Sequence, residues 1–191
     1  MFVPIWLKLQ IYKALIFLHP SVLEIGPFFI GPAIPQPIVD YPLATTRAAV
    51  DLVMTGTIRA CPSVDIILSH AGGTIPFIAG RDFNSLAFPA VSSLAKVNIS
   101  QAKPDFARFY YDIALSTSAA QLDGLLDFAD AEHVLFGSDF PYAPQFGIDA
   151  VALMYAKYVA TNSRGQEIKP EVLRSNSLKL LKKHAQGIVS S

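Results

Sequence analysis

Three residues that can bind a metal or move a proton each follow a short apolar run. His19 follows ALIFL at residues 14–18. His70 follows VDIIL at residues 64–68, with Ser69 between. Asp139 follows HVLF at residues 133–136, with Gly137 and Ser138 between. Two imidazoles and a carboxylate suit zinc or another divalent transition ion, because borderline cations accept both nitrogen and oxygen donors. The same groups can carry protons near neutral pH. Taken singly, each has a plainer reading. A histidine before Pro20 can be a turn residue, His70 before Gly72-Gly73 can be structural, and Asp139 can cap a turn. Their shared position is the stronger signal.

That position has meaning only if the apolar runs are parallel strands. The four runs are ALIFL, VDIIL, FYYDIAL at residues 109–115, and HVLF. They are rich in β-branched and aromatic residues and too short for buried helices, so they read as strands. Helical patterns fall between and after them: residues 42–56 with Thr45 and Thr46 as caps, 117–130 capped by Ser118, 148–159, and 170–184 opening on Pro170. Strand alternating with helix predicts an α/β fold with a parallel sheet. Ligands of such sheets bind at the carboxyl ends of the strands, so His19, His70 and Asp139 are expected at one rim. His133, at the start of its strand, belongs at the opposite rim, and His184 reads as a partner of its helix dipole. The third run ends in Ser116 and Thr117, candidates for substrate contact. Arg81 can meet a carboxylate, with an ion pair as the plainer reading. Cys61 reads as a small buried residue.

Two stretches break the rhythm. Residues 20–42 hold six prolines and two glycines. They read as a long loop without regular helix, overhanging the pocket, with Phe28, Phe29 or Tyr142 as apolar walls. Residues 87–104 read as a second irregular connection.

Composition narrows the class. The chain has 191 residues, with 15 Lys and Arg against 15 Asp and Glu. A single domain is expected. Zero net charge without a basic run argues against a nucleic-acid partner. One cysteine rules out an internal disulfide framework and suits a reducing, cytoplasmic location. Charged residues make up only 16%, and the mean hydropathy is +0.39. The N-terminal apolar stretch is interrupted by Lys8 and Lys13, so no membrane span is expected. Fully buried parallel strands account for part of this apolar excess.

The ordered motifs FLHP (17–20), YPLATTRAAVDLVMTGTIRACPSVDIILSHAGGTIPFIAGR (41–81), FYYDIAL (109–115), VLFGSDFPYAP (134–144) and RSNSLKLL (174–181) resemble the amidohydrolase-related superfamily. The similarity is to the branch holding the aminocarboxymuconate-semialdehyde, γ-resorcylate and 6-methylsalicylate decarboxylases. The resemblance implies a metal-dependent hydrolase-type (β/α)₈ barrel with one divalent metal, expected to be zinc. It assigns His19 and Asp139 to the metal, and His70 and Asp139 to catalysis. The implied activity is a carbon–carbon lyase that decarboxylates a small hydroxylated aromatic acid such as 6-methylsalicylate. A lactone hydrolase of the same superfamily is the alternative.

One departure is large. The family carries a His-x-His pair on its first strand, and this chain has none. A whole barrel needs about 250 residues. The chain therefore reads as strands five to eight, one partial domain over residues 1–191 with an uncertain start at 1–13. Unpaired strand edges and an uncovered core would add to the apolar excess. A non-catalytic fragment or a homo-oligomer of half barrels is the competing expectation.

Overall fold

The computed structural model describes residues 2–21 and 29–185. Its centre is a four-stranded parallel sheet in the order β1 (Leu15–Leu18), β4 (Asp65–Leu68), β5 (Tyr110–Asp112), β6 (Val134–Leu135). Each strand neighbours the next one of the sheet in the chain, and helices make the connections between these parallel strands. Phe17 pairs with Ile67, Ile67 with Tyr110, and Asp112 with Leu135. All four apolar runs form strands, each shorter than its run. Their carboxyl ends share one rim.

The helices are α1 (Val3–Ile11), α2 (Pro37–Met54), α3 (Thr57–Ala60), α4 (Ile75–Ser85), α5 (Pro89–Ser92), α6 (Ile99–Phe106), α7 (Ala119–Phe128), α8 (Gln145–Thr161) and α9 (Pro170–Ala185). Alternate strand residues point to opposite faces of the sheet. Ile66, Leu68, Tyr111 and Val134 are fully buried in the core, together with Val53 of α2, Ile75 of α4, and Leu122 and Leu125 of α7. Leu15, Phe17, Ile67, Asp112 and Leu135 line a cavity instead. Phe17 is 54% exposed there. Ser118 caps α7 through a reciprocal capping box with Gln121, as its sequence predicts.

Both expected irregular stretches contain helix. Residues 29–36 hold a short antiparallel pair, β2 (Phe29–Ile30) with β3 (Ile34–Pro35), and α2 begins at Pro37. Pro37 occupies the first turn, where the missing N–H has no helical partner. Pro42 lies inside α2 and removes one ladder bond from an 18-residue helix. The helix therefore starts five residues earlier than the pattern indicates, and Thr45 and Thr46 are interior residues rather than caps. Pro89–Ser92 and Ile99–Phe106 are helical, the latter opened by an Asn98–Gln101 capping box.

α9 bonds to the strands at the end away from the rim, while its Ser177, Leu180 and Leu181 line the cavity. Asn176 donates to the carbonyls of Ala131 and Val134. His184 Nδ1 meets Lys13 O, and its Nε2 meets Asp65 Oδ2, both at 2.7 Å. His184 thus ties helix to sheet and does more than answer its own helix dipole. Among the described residues no helix is long and apolar enough to cross a membrane.

Candidate metal centre

The turn after β4 is built to hold His70. His70 and Ala71 both adopt left-handed backbone, with φ of 57° and 55°. Such values are unfavourable for residues with a Cβ and persist only where surroundings enforce them. Here α2 supplies part of that enforcement. Thr45 Oγ1 lies 3.2 Å from Ser69 Oγ, and Thr46 Oγ1 accepts the Thr74 N–H at 2.8 Å. Gly73 lets the helix come this close: a Cβ there would stand 2.0 Å from the Pro42 carbonyl oxygen. Asp139 is also left-handed, with φ of 65°, in the turn that follows β6.

These turns bring the three expected residues together. His19 Nε2 lies 3.2 Å from Asp139 Oδ1, and His70 Nε2 lies 3.7 Å from the same oxygen. One ligand atom from each falls within 4.8 Å of the others. The imidazole rings of His19 and His70 are 5.2 Å apart between centroids. His70 is buried, and its Nδ1 has no hydrogen-bond partner, whereas its Nε2 faces the cluster. Burial holds the His70 imidazole below the usual histidine value, with Asp112 and Asp139 pulling the other way. It is therefore neutral at neutral pH, free to bind a metal or to take up a proton. Two ring nitrogens and a carboxylate oxygen, aimed at one point beside a cavity, fit a divalent ion of intermediate softness.

That cavity measures about 500 Å³. Phe17, Phe136, Phe140 and Tyr142 line it together with His19 and Asp139. Tyr142 stacks on His19 with centroids 5.5 Å apart. Of the expected apolar walls, Tyr142 is present, Phe29 is not among the lining residues, and Phe28 lies outside the described residues. Ser116 and Thr117 do not reach the cavity. Both are buried, and Thr117 Oγ1 donates to the Val151 carbonyl on α8. Arg81 is exposed on α4 and does not line the cavity. His133 sits at the opposite end of its strand, stacked on Tyr110 and bonded through Nδ1 to Phe109 O. Cys61 is buried, as expected.

Asp112 is the residue that the sequence reading passed over. It ends β5 inside the motif FYYDIAL, is buried, and lines the cavity. Burial raises its carboxyl above the ordinary aspartate range, against the backbone N–H groups of Ala114 and His70 that favour the anion. A lone carboxylate closing an apolar strand was a readable signal.

The fold and the site define an α/β protein with an imidazole–carboxylate cluster at the carboxyl ends of its parallel strands. The chain belongs to the amidohydrolase family, whose model matches residues 1–183. It is 40% identical over 175 residues to a decarboxylase of Penicillium terrestre, covering 87% of this chain and 51% of that relative. It is 37% identical over 180 residues to the 6-methylsalicylic acid decarboxylase of Penicillium expansum, covering 94% of this chain and 53% of that relative. A solved structure, the 5-carboxyvanillate decarboxylase of Novosphingobium aromaticivorans with manganese and 4-hydroxy-3-methoxy-5-nitrobenzoic acid, superposes with a TM-score of 0.71 at 18% identity. That superposition covers 88% of this chain and 48% of that one. The chain spans about half the length of the curated relatives it matches.

Proposed function

We propose that this chain is the C-terminal half, strands five to eight, of a (β/α)₈ metal-dependent decarboxylase acting on a small hydroxylated aromatic acid such as 6-methylsalicylate. Supporting the half barrel are the sequential parallel order of four strands and the exposed, apolar inner face around Phe17. The length relative to the Penicillium enzymes agrees. The whole described chain would be one partial domain in a cytoplasmic enzyme, a location suited to its single unpaired thiol. The observation that carries the activity is the meeting of His19, His70 and Asp139 at the mouth of an aromatic-walled cavity.

In this reading His19 Nε2 and Asp139 hold the metal, with zinc or manganese as the candidates. When bound, the ion supplies Lewis-acid charge and a template for substrate oxygens. The chain's own groups do the rest. Phe17, Phe136, Phe140 and Tyr142 offer flat apolar surface to an aromatic ring and exclude water. His70 Nε2 faces the cluster at the cavity; it takes up a proton from solvent, and the imidazolium so formed is the donor, returning to neutral imidazole on transfer. In decarboxylation the bond between ring carbon and carboxylate breaks, CO₂ leaves, and the ring carbon takes up that proton. Asp139, 3.7 Å from His70 Nε2, orients the imidazole and stabilises its protonated form before transfer.

The test compares this chain alone with the same chain joined to the part of the Penicillium expansum relative that it does not match. Each is supplied with zinc or manganese and 6-methylsalicylate. CO₂ release by the joined protein, lost on His70→Ala, is expected, with little from the chain alone. A joined protein that folds and binds metal yet releases no CO₂ overturns the reading. Lactone hydrolysis in its place would favour a hydrolase.

A further inference from the structure

Asp112 Oδ1 accepts two backbone N–H groups, from His70 at 3.0 Å and from Ala114 at 2.9 Å. The first belongs to the left-handed turn after β4. The second lies beside Leu115, which is itself left-handed with φ of 52°. One oxygen thus joins the strained ends of two neighbouring strands. The rest of the carboxyl has little freedom. A Cβ on Gly137 would stand 2.9 Å from Asp112 Cγ and 3.0 Å from its Oδ2, so the glycine after β6 is the space in which the carboxyl sits. Asp112 is 5% exposed, and among the described residues it is the side chain that accepts the His70 amide.

From this arrangement we infer that Asp112 is a positioning residue: by accepting the His70 amide it holds the His70 imidazole in the direction that brings Nε2 to Asp139. The inference rests on the reading of this rim as the reaction site. An unbonded amide at residue 70 would let the turn relax from φ of 57° towards ordinary backbone and swing the ring off the cluster. Acceptor geometry is the requirement, not negative charge. Asparagine at residue 112 keeps an oxygen at the same reach, whereas glutamate keeps the charge but displaces it by one methylene.

The experiment uses the full chain, labelled with nitrogen-15, as wild type, Asp112→Asn, Asp112→Glu and Asp112→Ala. Amide hydrogen exchange at residue 70 is read against amides of α7, and manganese affinity is measured at one fixed pH. The wild type and D112N should protect the His70 amide. D112E and D112A should exchange it about tenfold faster or more, with α7 unchanged. They should also bind manganese about 10- to 100-fold more weakly. If D112A does not fold, the contrast between D112N and D112E decides. Equal exchange at residue 70 in all folded variants overturns the inference, and so does a D112N that loses as much as D112E. A wild type that binds no manganese overturns the metal reading instead, and the exchange data still decide the role of Asp112.

Discussion

His19 Nε2 and Asp139 Oδ1 lie 3.2 Å apart although 120 residues separate them in the chain. The two residues follow β1 and β6, the outermost strands of the sheet. The contact therefore spans the whole rim, and His70 lies against the same carboxylate. One ion can draw on all three groups because the turns that follow β1, β4 and β6 bring them together.

If these groups hold a divalent ion, removing either end of that contact weakens it. His19→Ala and Asp139→Asn should each reduce manganese or zinc affinity by on the order of tenfold or more at constant pH. Calorimetric titration of the purified chain measures this directly, and unchanged affinity in both variants would remove these residues from the metal site.

His133 serves as the internal control. Its ring is stacked on Tyr110 at the opposite rim. His133→Phe should leave metal affinity as it is, with only a modest loss of stability from the bond to the Phe109 carbonyl. A metal defect in this variant would contradict the assignment of the cluster.

Three glycines predict different stabilities. Gly73→Ala places a Cβ 2.0 Å from the Pro42 carbonyl oxygen at a φ of +67° and should cost roughly 2–4 kcal/mol. Gly137→Ala, which presses on Asp112, should cost about 1–3 kcal/mol. Gly80→Ala, with nothing within 4 Å on an exposed turn of α4, should gain up to about 1 kcal/mol. Denaturant unfolding of the three variants gives the ranking.

Acid should act through His70. Burial lowers its folded pKa below the ordinary value of 6.5, so the unfolded chain binds the proton first. The stability this histidine allows is complete above that ordinary value and is lost as pH falls towards the folded one. The metal-free wild type should therefore lose more stability than His70→Gln between neutral pH and pH 5. Thermal melts across that range test the sign.

The strands, three of the long helices and the common rim of His19, His70 and Asp139 were legible in the sequence. Apolar runs and helical spacing are local properties, and parallel strands fix which ends of the runs meet. The start of α2 was not legible, because proline density argues against helix unless each proline's place in the turn is known. Thr45 and Thr46 read as caps for the same reason. Only packing shows that they bond to the turn that carries His70.

What the sequence determined by itself is therefore the order of the four parallel strands and of the long helices α7, α8 and α9, and the identity of three groups at strand ends. The tertiary structure decided which other residues serve them. Asp112 braces His70 because β5 lies beside β4, and Gly137 makes room for it because β6 lies beside β5. Thr117, a few residues beyond β5, bonds to α8 instead. Such roles depend on which backbone N–H or carbonyl lies within 3 Å across a strand pair. Residue type and spacing along one strand carry no record of that distance, since it is set by the register of the neighbouring strands and the turns that follow them.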